Sequence, residues 1–347
     1  MLSFMETKPT LDTKQLFKIL ATQRPAGSES ENQFVTDTLL SVPGAHQDEF
    51  GNVLIPVNCT KTRTMFSCHT DTVHPKPHAD FINRLQYDGV KEHLFTDGKS
   101  QLGADDGTGI WFMLNMIEAE VPGLYVFHRE EEIGGIGSDA SAELNKNYIE
   151  SLGIERCIAF DRHYYSDVIT HQGGRCASDE FAKALAAELN QTPGFDYKPD
   201  DSGVFTDSAN YTHMIQECTN ISVGYWAQHT VKETQDIGFA VKLLDRLIKV
   251  NWEALPTVRD VNDNEPAFDM YDLGYKGNYA NDPYNDPYNE LMFISTMKID
   301  EMVEVFPEAV GNVLTDLGFT DHELRTMIED EMLGEIRYAD TPTDIAI

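Results

Sequence analysis

The chain has 347 residues, which is enough for one large domain or for a domain with an appendage, and its 41% of hydrophobic residues is normal for a packed core. Its formal net charge is −32, from 58 acidic and 26 basic residues. This charge would repel a nucleic acid or an anionic membrane, and no basic stripe offsets it, so we expect neither as a partner. No apolar stretch is long enough to span a bilayer and the start has no signal-peptide core, so we expect a cytoplasmic protein.

The cysteines predict no disulfide framework. Their number is odd, no pair has the C-x-x-C spacing, and several lie inside apolar runs. They are Cys59, Cys68, Cys157, Cys176 and Cys218. Buried free thiols in a reducing compartment fit this pattern better than disulfides or a cysteine zinc site.

Strand-like and helix-like patterns alternate from about residue 11 to residue 255. Helical patterns cover residues 14–22, 29–40, 109–119, 180–190 and 236–255, and β-rich runs such as Val53–Val57 lie between them. This alternation predicts an α/β fold, a three-layer sandwich in which helices cover both faces of a mostly parallel central sheet. We expect residues 1–255 to form one domain.

The chain changes character after residue 255. Residues 281–288 repeat the turn-forming sequence Asn-Asp-Pro-Tyr, which predicts a linker over residues 256–292. Helical patterns follow, and Thr320 with Glu323 is a capping-box signal for the last of them. From residue 256 onward there are 21 acidic and 5 basic residues, so this part of the chain carries half of the net charge. We therefore predict an acidic helical C-terminal extension over residues 293–347.

Five segments place a metal-binding residue type after an apolar, strand-like run. The residues are His69 after Met65–Cys68, Asp105 after Leu102–Ala104, Glu132 after Leu124–Phe127, Asp161 after Cys157–Phe160, and His229 after Ile221–Gly224. In open α/β sheets, ligands bind in the crevice beyond the carboxyl ends of the strands, so we expect these side chains to meet there. One such residue would mean little, whereas five in this order predict an oxygen-rich metal centre.

These five residues include the donors that a pair of divalent ions needs. Two ions about 3.5–4 Å apart need a bridging carboxylate and further His and carboxylate ligands, with a water held between them. Asp105 can bridge the ions. His69 and Asp161 can bind one of them, and His229 and Glu132 the other.

Hydrolysis also requires a general base beside that water. Glu131 directly precedes Glu132, and a carboxylate next to two cations stays ionised yet can take a proton from the water and pass it to a leaving amine. Asp71, two residues after His69, can accept the other ring N–H of that imidazole.

The local motifs leave two alternatives open. Three consecutive glutamates allow Glu130 and Glu131 as base and ligand in place of Glu131 and Glu132. Asp167 competes with Asp161, although only Asp161 directly follows a strand-like run.

The ordered set resembles the superfamily of co-catalytic zinc exopeptidases, which includes peptidase T-like tripeptidases, carboxypeptidase G-like enzymes and bacterial zinc leucyl aminopeptidases. The matching motifs are His69-x-Asp71, the run Leu-Gly-Ala-Asp-Asp-Gly-Thr-Gly from Leu102 to Gly109, Glu131-Glu132-Ile133-Gly134, Asp161, and His229-Thr230 with Glu233, supported by residues 25–29 and 49–52. The resemblance covers roughly residues 11–255. It implies two divalent metal ions, zinc or else cobalt or manganese. It also implies His69 and Asp161 on one ion, Glu132 and His229 on the other, Asp105 bridging, and Glu131 as the base.

The chain departs from this family in two places. Peptidase T-like and carboxypeptidase G-like members insert a lid domain between the counterparts of Asp161 and His229, and here that interval is too short for one. We therefore expect residues 1–255 to be a compact catalytic domain like that of the aminopeptidase branch. Gly107 stands where many relatives have Lys, so we expect a contact beneath the metal ligands to be missing.

Together these features predict a metal-dependent exopeptidase, a hydrolase of the aminopeptidase or di- or tripeptidase type, acting on peptides. One alternative is a deacylase of N-acyl amino acids with the same site. The other is a non-catalytic metal-binding protein, against which the presence of Glu131 argues. Arg162, His163 and Tyr225 are candidates for substrate binding. We expect the acidic extension to be a solvated surface, with a homo-oligomer contact or a docking surface as alternatives.

Overall fold

The computed structural model describes residues 13–74 and 82–262. The predicted linker beyond residue 262 and the predicted extension over residues 293–347 lie outside these residues, as does the capping box at Thr320. The described strands are β1 (His46–Gln47), β2 (Val53–Val57), β3 (Thr64–His69), β4 (Leu85–Asp88), β5 (His93–Thr96), β6 (Gly123–His128), β7 (Arg156–Arg162), β8 (Asp167–Ile169), β9 (Lys198–Asp200), β10 (Glu217–Ser222), β11 (Tyr225–Trp226) and β12 (Thr234–Asp236). The described α-helices are α1 (Thr13–Leu20), α2 (Glu29–Phe34), α3 (Ala104–Glu118), α4 (Ile136–Leu144), α5 (Lys146–Leu152), α6 (Asp179–Leu189) and α7 (Ile237–Leu247).

Eight strands form the main sheet in the order β1-β2-β6-β3-β7-β10-β8-β9. At its centre β6, β3, β7 and β10 run parallel to one another, while β2 joins β6 and β8 joins β10 in antiparallel pairs. Every residue of β3, β6 and β10 is buried, which is the pattern of strands covered on both faces. The predicted mostly parallel central sheet is confirmed.

Helices cover the sheet in two groups. Helix α3 packs on β3 and β7 and contacts α1 and α7. Helix α4 contacts β6 and a short 3-10 helix at Asp207–Tyr211, which in turn contacts β3, β7 and β10. Because β3, β6 and β10 are buried on both faces, the two groups of helices cover opposite faces of the sheet and form the predicted three layers.

Three of these helices begin with a side-chain cap. The side chains of Ser28, Ser178 and Asp236 each accept a hydrogen bond from the main-chain N–H three residues later, at the start of α2, α6 and α7. Such caps satisfy one of the main-chain donors that the first helical turn leaves without a partner.

A second, four-stranded sheet in the order β11-β12-β5-β4 is antiparallel throughout and was not predicted. Strand β4 has no fully buried residue and β11 has only two residues, so neither produces the apolar alternation that predicts a strand. This sheet carries the loop between β11 and β12, which contains His229.

The prediction of a strand at Leu102–Ala104 was wrong. Gly103 adopts the left-handed conformation, with φ +73° and ψ +34°, and the run leads directly into α3. Its main-chain N–H groups donate to the carboxylate of Glu233 and not to a neighbouring strand. The apolar character of the run reflects burial, since Leu102 and Ala104 both belong to the core.

All five cysteines are free, four of them buried and Cys59 half-buried. Within the described part of the chain, no helix is long and apolar enough to cross a membrane.

At the described start of the predicted linker, the main-chain N–H groups of Val258 and Arg259 donate to Glu217 on β10 at 2.7 and 3.0 Å. The predicted division at residue 255 stays a prediction.

Gly137 in α4 provides a test of this packing. A Cβ atom there would lie 2.0 Å from the main-chain O of Arg129, in the loop that carries Glu131 and Glu132. We expect Gly137→Ala to lower the free energy of unfolding by about 1–3 kcal/mol, because the backbone must move to admit the methyl group. Urea denaturation measures the change. Gly89→Ala is the control, since its Cβ would meet only Tyr87 at 3.6 Å, and an equal loss in both variants would contradict the expectation.

Candidate active site

The five predicted ligands come together at one edge of the main sheet. His69 is the last residue of β3, Asp161 is the penultimate residue of β7, and Glu132 lies in the loop after β6. Because β6, β3 and β7 are parallel neighbours, their carboxyl ends meet at the same edge. The first turn of α3 adds Asp105, and the loop between β11 and β12 adds His229.

Asp105 lies between the two histidines. Its Oδ1 is 3.0 Å from Nε2 of His69, and its Oδ2 is 3.1 Å from Nε2 of His229. Each oxygen of one carboxylate therefore faces a different imidazole. This is the arrangement that a carboxylate bridging two ions requires.

The remaining two carboxylates take opposite sides. Oε2 of Glu132 is 3.0 Å from Nε2 of His229, and Oδ1 of Asp161 is 3.7 Å from Nε2 of His69. The pairs His69 with Asp161 and His229 with Glu132 are those that the family resemblance implied.

Asp106 also lies within reach of His69 and Asp161, but its oxygens are already used. Its Oδ2 accepts the main-chain N–H of His69 at 3.2 Å, and its Oδ1 accepts that of Gly109 at 2.9 Å. A Cβ on Gly109 would lie 2.2 Å from Oδ1 of Asp106, so only glycine allows this bond. We therefore regard Asp106 as a support for the β3 end, not as a ligand.

Asp71 links the first histidine to the glutamate loop. Nδ1 of His69 donates to the main-chain O of Asp71 at 3.1 Å, which leaves Nε2 free of its proton for a metal ion. The carboxylate of Asp71 accepts the main-chain N–H groups of Glu131 and Glu132, both at 3.1 Å. Asp71 thus orients a ligand and the candidate base together.

Asp161 is held by three neighbours. Its Oδ2 accepts the hydroxyl of Thr206 at 2.7 Å, its Oδ1 accepts that of Tyr225 at 3.2 Å, and its main-chain N–H donates to Asn220. Tyr225, a candidate for substrate binding, therefore already uses its hydroxyl to orient Asp161. The competing residue Asp167 pairs with Arg162 at 3.1 Å.

Glu233 is a supporting residue to which the sequence assigned no role. Its buried carboxylate accepts four successive main-chain N–H groups, from Leu102 to Asp105, at 2.8 to 3.2 Å. It fixes the turn that presents Asp105 and ties it to the loop that carries His229. The signal in the sequence was its place in the His229-Thr230 motif, but the motif does not reveal which main-chain groups it binds.

Burial and crowded acids shift the pKa values in the metal-free site. Burial, with the nearby charge of Asp105, raises the pKa of Asp161 to about 7, and burial raises that of Glu131 to about 10. Hydrogen bonds to Asp105 and Glu132 raise the pKa of His229 to about 11. Burial lowers the pKa of His69, but hydrogen bonds to three aspartates outweigh it and raise the pKa well above the usual value. The centre therefore holds protons wherever cations are missing.

The donor set fits two divalent cations. The three ligand carboxylates and Glu131 carry four negative charges when ionised, which two divalent ions balance. Oε1 of Glu132 is buried and has no hydrogen-bond partner among the described residues, and such an orphaned oxygen is costly unless a ligand takes it up.

A small cavity of about 100 Å³ opens beside these groups. Glu131 lines it together with Asp105, Asp161 and His229, whereas Glu130 does not. This geometry favours Glu131 over Glu130 as the base. The cavity is also lined by the remaining substrate-binding candidates, Arg162 and His163, and Nδ1 of His163 lies 2.8 Å from the amide of Gln228.

Apolar side chains take the space beside Gly107. A Cβ of Gly107 would lie 2.7 Å from Cδ2 of Leu20 and 3.2 Å from Cγ2 of Ile19, and 3.4 Å from Nη2 of the buried Arg24. Arg24 donates to the main-chain O atoms of Thr70, Ile19 and Thr22. Glycine therefore leaves room for Leu20 and Ile19, and the missing contact beneath the ligands stays a prediction.

Glu233→Gln tests the support of the Asp105 turn. We expect this variant to lose about 1–3 kcal/mol of unfolding free energy, since a neutral amide replaces an acceptor of four buried N–H groups. We also expect weaker zinc binding, measured by competition with a chromogenic chelator. Glu180→Gln, at an exposed position of α6, is the control. Unchanged zinc affinity in Glu233→Gln would show that Glu233 does not position Asp105.

Comparison with known proteins supports the fold. No family model matches the chain, and no curated protein matches its sequence. Solved structures do match. A tripeptidase from Staphylococcus aureus shares 14% identity over 69% of this chain and 96% of its own, with a TM-score of 0.54. An aminopeptidase from the archaeon Desulfurococcus kamchatkensis shares 13% over 70% and 95%, also with a TM-score of 0.54.

A third match is the TET1 peptidase of Pyrococcus horikoshii, which can assemble into a tetrahedron or a large octahedral shell. It shares 13% identity over 71% of this chain and 99% of its own, with a TM-score of 0.50. At these identities the likeness concerns the fold. The chain has a fold similar to that of these tripeptidase and aminopeptidase structures.

Proposed function

We propose that the protein is a metal-dependent exopeptidase of the aminopeptidase or di- or tripeptidase type. The single observation that carries this proposal is the position of Asp105, whose two oxygens face Nε2 of His69 and Nε2 of His229. Asp161 completes one side and Glu132 the other. The fold shared with three peptidases is consistent with this chemistry.

Two divalent ions, zinc before cobalt or manganese, would polarise the scissile carbonyl and acidify a water when bound. Glu131 accepts a proton from the attacking water, whose oxygen bonds to the carbonyl carbon. As the C–N bond breaks, Glu131 returns that proton to the leaving amine. Asp71 holds the main chain of Glu131 and so keeps its carboxylate at the cavity.

The site is open enough for the end of a peptide chain to reach it. The interval from Asp161 to His229 contains β8, α6, β9 and β10, which all belong to the main sheet and its cover, so the described residues leave none for a lid domain.

Assembly into a homo-oligomer stays part of the proposal, and light scattering of the full chain tests it.

Glu131→Gln tests the base. We expect hydrolysis of a peptide with a free amino terminus to fall by about 10²–10⁴-fold, because the amide cannot accept the proton. Metal content, measured by mass spectrometry, should stay at two ions per chain. Glu130→Gln is the matched control and should keep most of the activity. If Glu130→Gln were the inactive variant instead, the alternative assignment of the glutamates would be correct.

Metal removal tests the ligand set. We expect a chelator to abolish hydrolysis and zinc to restore it. Because the raised pKa values of His69 and His229 keep them protonated in the metal-free protein, zinc must displace protons. Affinity should therefore rise with pH, and calorimetry in buffers of different ionisation enthalpy should show net proton release. Much less than two ions per chain after zinc addition would contradict the two-ion centre.

The choice of substrate separates the proposal from its alternative. Peptides with a free amino terminus and N-acylated amino acids, each with and without chelator, are the two arms of the screen. Hydrolysis of the N-acyl compounds alone would indicate a deacylase.

A further inference from the structure

A buried ion pair joins the loop that carries the glutamates to helix α2. Arg129, two residues before Glu131, donates from Nε and Nη2 to the two carboxylate oxygens of Glu31 at 2.6 and 2.8 Å. The side chain of Glu31 is fully buried, and that of Arg129 is 11% exposed. Two parallel bonds between an arginine and a carboxylate fix their orientation as well as their distance.

The same carboxylate also reaches the end of β3. Oε1 of Glu31 accepts the hydroxyl of Thr70 at 2.6 Å, and Thr70 stands between the proposed ligand His69 and Asp71. Glu31 is therefore bonded to a residue next to a metal ligand and to a residue close to the candidate base. It connects the two chain segments that set the distance from His69 to Glu131.

Two supporting motifs of the sequence, around Gly27 and Asn52, had no role in the proposed reaction, and both hold this pair. Gly27 donates its main-chain N–H to Oε2 of Glu31 at 2.7 Å. Asn52 accepts the main-chain N–H of Arg129 at 3.0 Å. The side chain and the main chain of Arg129 are thus both fixed, and each is fixed by a different part of the chain.

Stability alone gives a weak reason for this pair. Apolar side chains of similar volume are often at least as stabilising as a buried ion pair, because both charges must leave water. A second buried guanidinium, that of Arg24, donates to the main-chain O of Thr70 at 2.8 Å. Burial lowers the pKa of Arg24 to about 10, and the nearby charge of Glu31 opposes this lowering. The carboxylate of Glu31 therefore acts on two cations that both hold the ends of neighbouring strands.

We propose that Glu31 and Arg129 are positioning residues that set the distance between the ligand-bearing end of β3 and the candidate base Glu131. This inference rests on the proposed exopeptidase function. Neither residue lines the cavity, so we expect neither to touch the substrate. Their effect passes through Thr70 to His69, and along the chain from Arg129 to Glu131.

Zinc affinity tests the link to His69 without hydrolysis. Thr70→Val nearly keeps the volume of the side chain but removes the hydroxyl that binds Glu31. We expect zinc binding to weaken about tenfold or more, as is typical when a residue that orients metal ligands is changed. Competition with a chromogenic chelator measures it, for this variant and for Glu31→Gln. Wild-type zinc affinity in both variants would overturn the proposal, whether or not the protein hydrolyses peptides.

Hydrolysis of a peptide with a free amino terminus tests the link to Glu131. Arg129→Lys keeps the charge but cannot bind both oxygens of Glu31. At saturating zinc we expect kcat per zinc-loaded molecule to fall about 10–100-fold, with KM within about threefold, because the base moves while no group that lines the cavity is changed. A role in stability alone would leave the kcat of zinc-loaded molecules at the wild-type value, and that outcome would contradict the proposal.

Glu188→Gln is the matched control. Glu188 in α6 pairs with Arg246 in α7, and neither of them lines the cavity. We expect this variant to lose stability in urea denaturation, as Glu31→Gln does, and to keep the wild-type zinc affinity and kcat. Equal losses of kcat in Glu188→Gln and Arg129→Lys would show that the effect is general and not one of positioning.

The double variant Glu31→Gln with Arg129→Lys tests whether the two residues act as one unit. Its kcat should lie within about threefold of that of Arg129→Lys alone, since both changes break the same pair. Losses that multiply would contradict the proposal. If Glu31→Gln does not fold, Thr70→Val and Arg129→Lys decide the question. If the wild type hydrolyses no peptide while zinc affinity falls as expected, the exopeptidase function fails and the positioning of His69 stands.

Discussion

The candidate active site depends on one buried carboxylate, that of Asp105, which is held between two imidazoles, one from the main sheet and one from the loop between β11 and β12. The protein has to fix the position of this carboxylate. Carboxylates and histidines this close together would otherwise move to bind protons or water. Glu233 fixes this position by accepting the four main-chain N–H groups that lead into Asp105. Charge-assisted bonds of this kind are among the stronger hydrogen bonds in proteins.

Other buried acids near the site also accept hydrogen bonds from main-chain N–H groups. Asp71 accepts main-chain N–H groups from the loop of Glu131, and Asp106 accepts them from β3 and α3. These acids do not face the open cavity, and their charge is used to hold the backbone. Of the proposed ligands, Asp105 and Asp161 line the cavity, and Glu132 has a buried oxygen without a hydrogen-bond partner among the described residues. Burying so many carboxylates is costly, and in the metal-free state burial raises the pKa values of Asp161 and Glu131.

The interval from Asp161 to His229 has two uses. It completes the sheet with β8, β9 and β10, and its residues 203–205 line the cavity. Thr206 orients a ligand while Phe205, the residue before it, faces the cavity mouth. Support of the metal centre and the shape of the cavity are therefore coupled through adjacent residues.

The sequence alone determined the central sheet and predicted which residues meet at its edge. His69 and Asp161 each follow an apolar run that becomes a buried parallel strand, and the carboxyl ends of such strands meet at one edge wherever the chain takes them. This rule predicts that these residues come together even when no interatomic distance is known. The helical patterns near residues 14, 29, 109, 180 and 236 likewise predicted α1, α2, α3, α6 and α7. Helices α1, α6 and α7 each bury one face with a period near 3.6 residues, whereas α3 is buried on all sides from Ala104 to Met116.

Only the tertiary structure decided which groups support the ligands. Leu102–Ala104 reads as a strand from its apolar residues, but Glu233, more than a hundred residues away, takes the N–H groups that a strand would need. Leu20 and Ile19 take the space beside Gly107 from a different part of the chain, and the ring of Phe205 packs against Gly135. Contacts of this kind depend on long-range packing, which leaves no periodic trace in the sequence, whereas strands and helices leave one because their geometry is local.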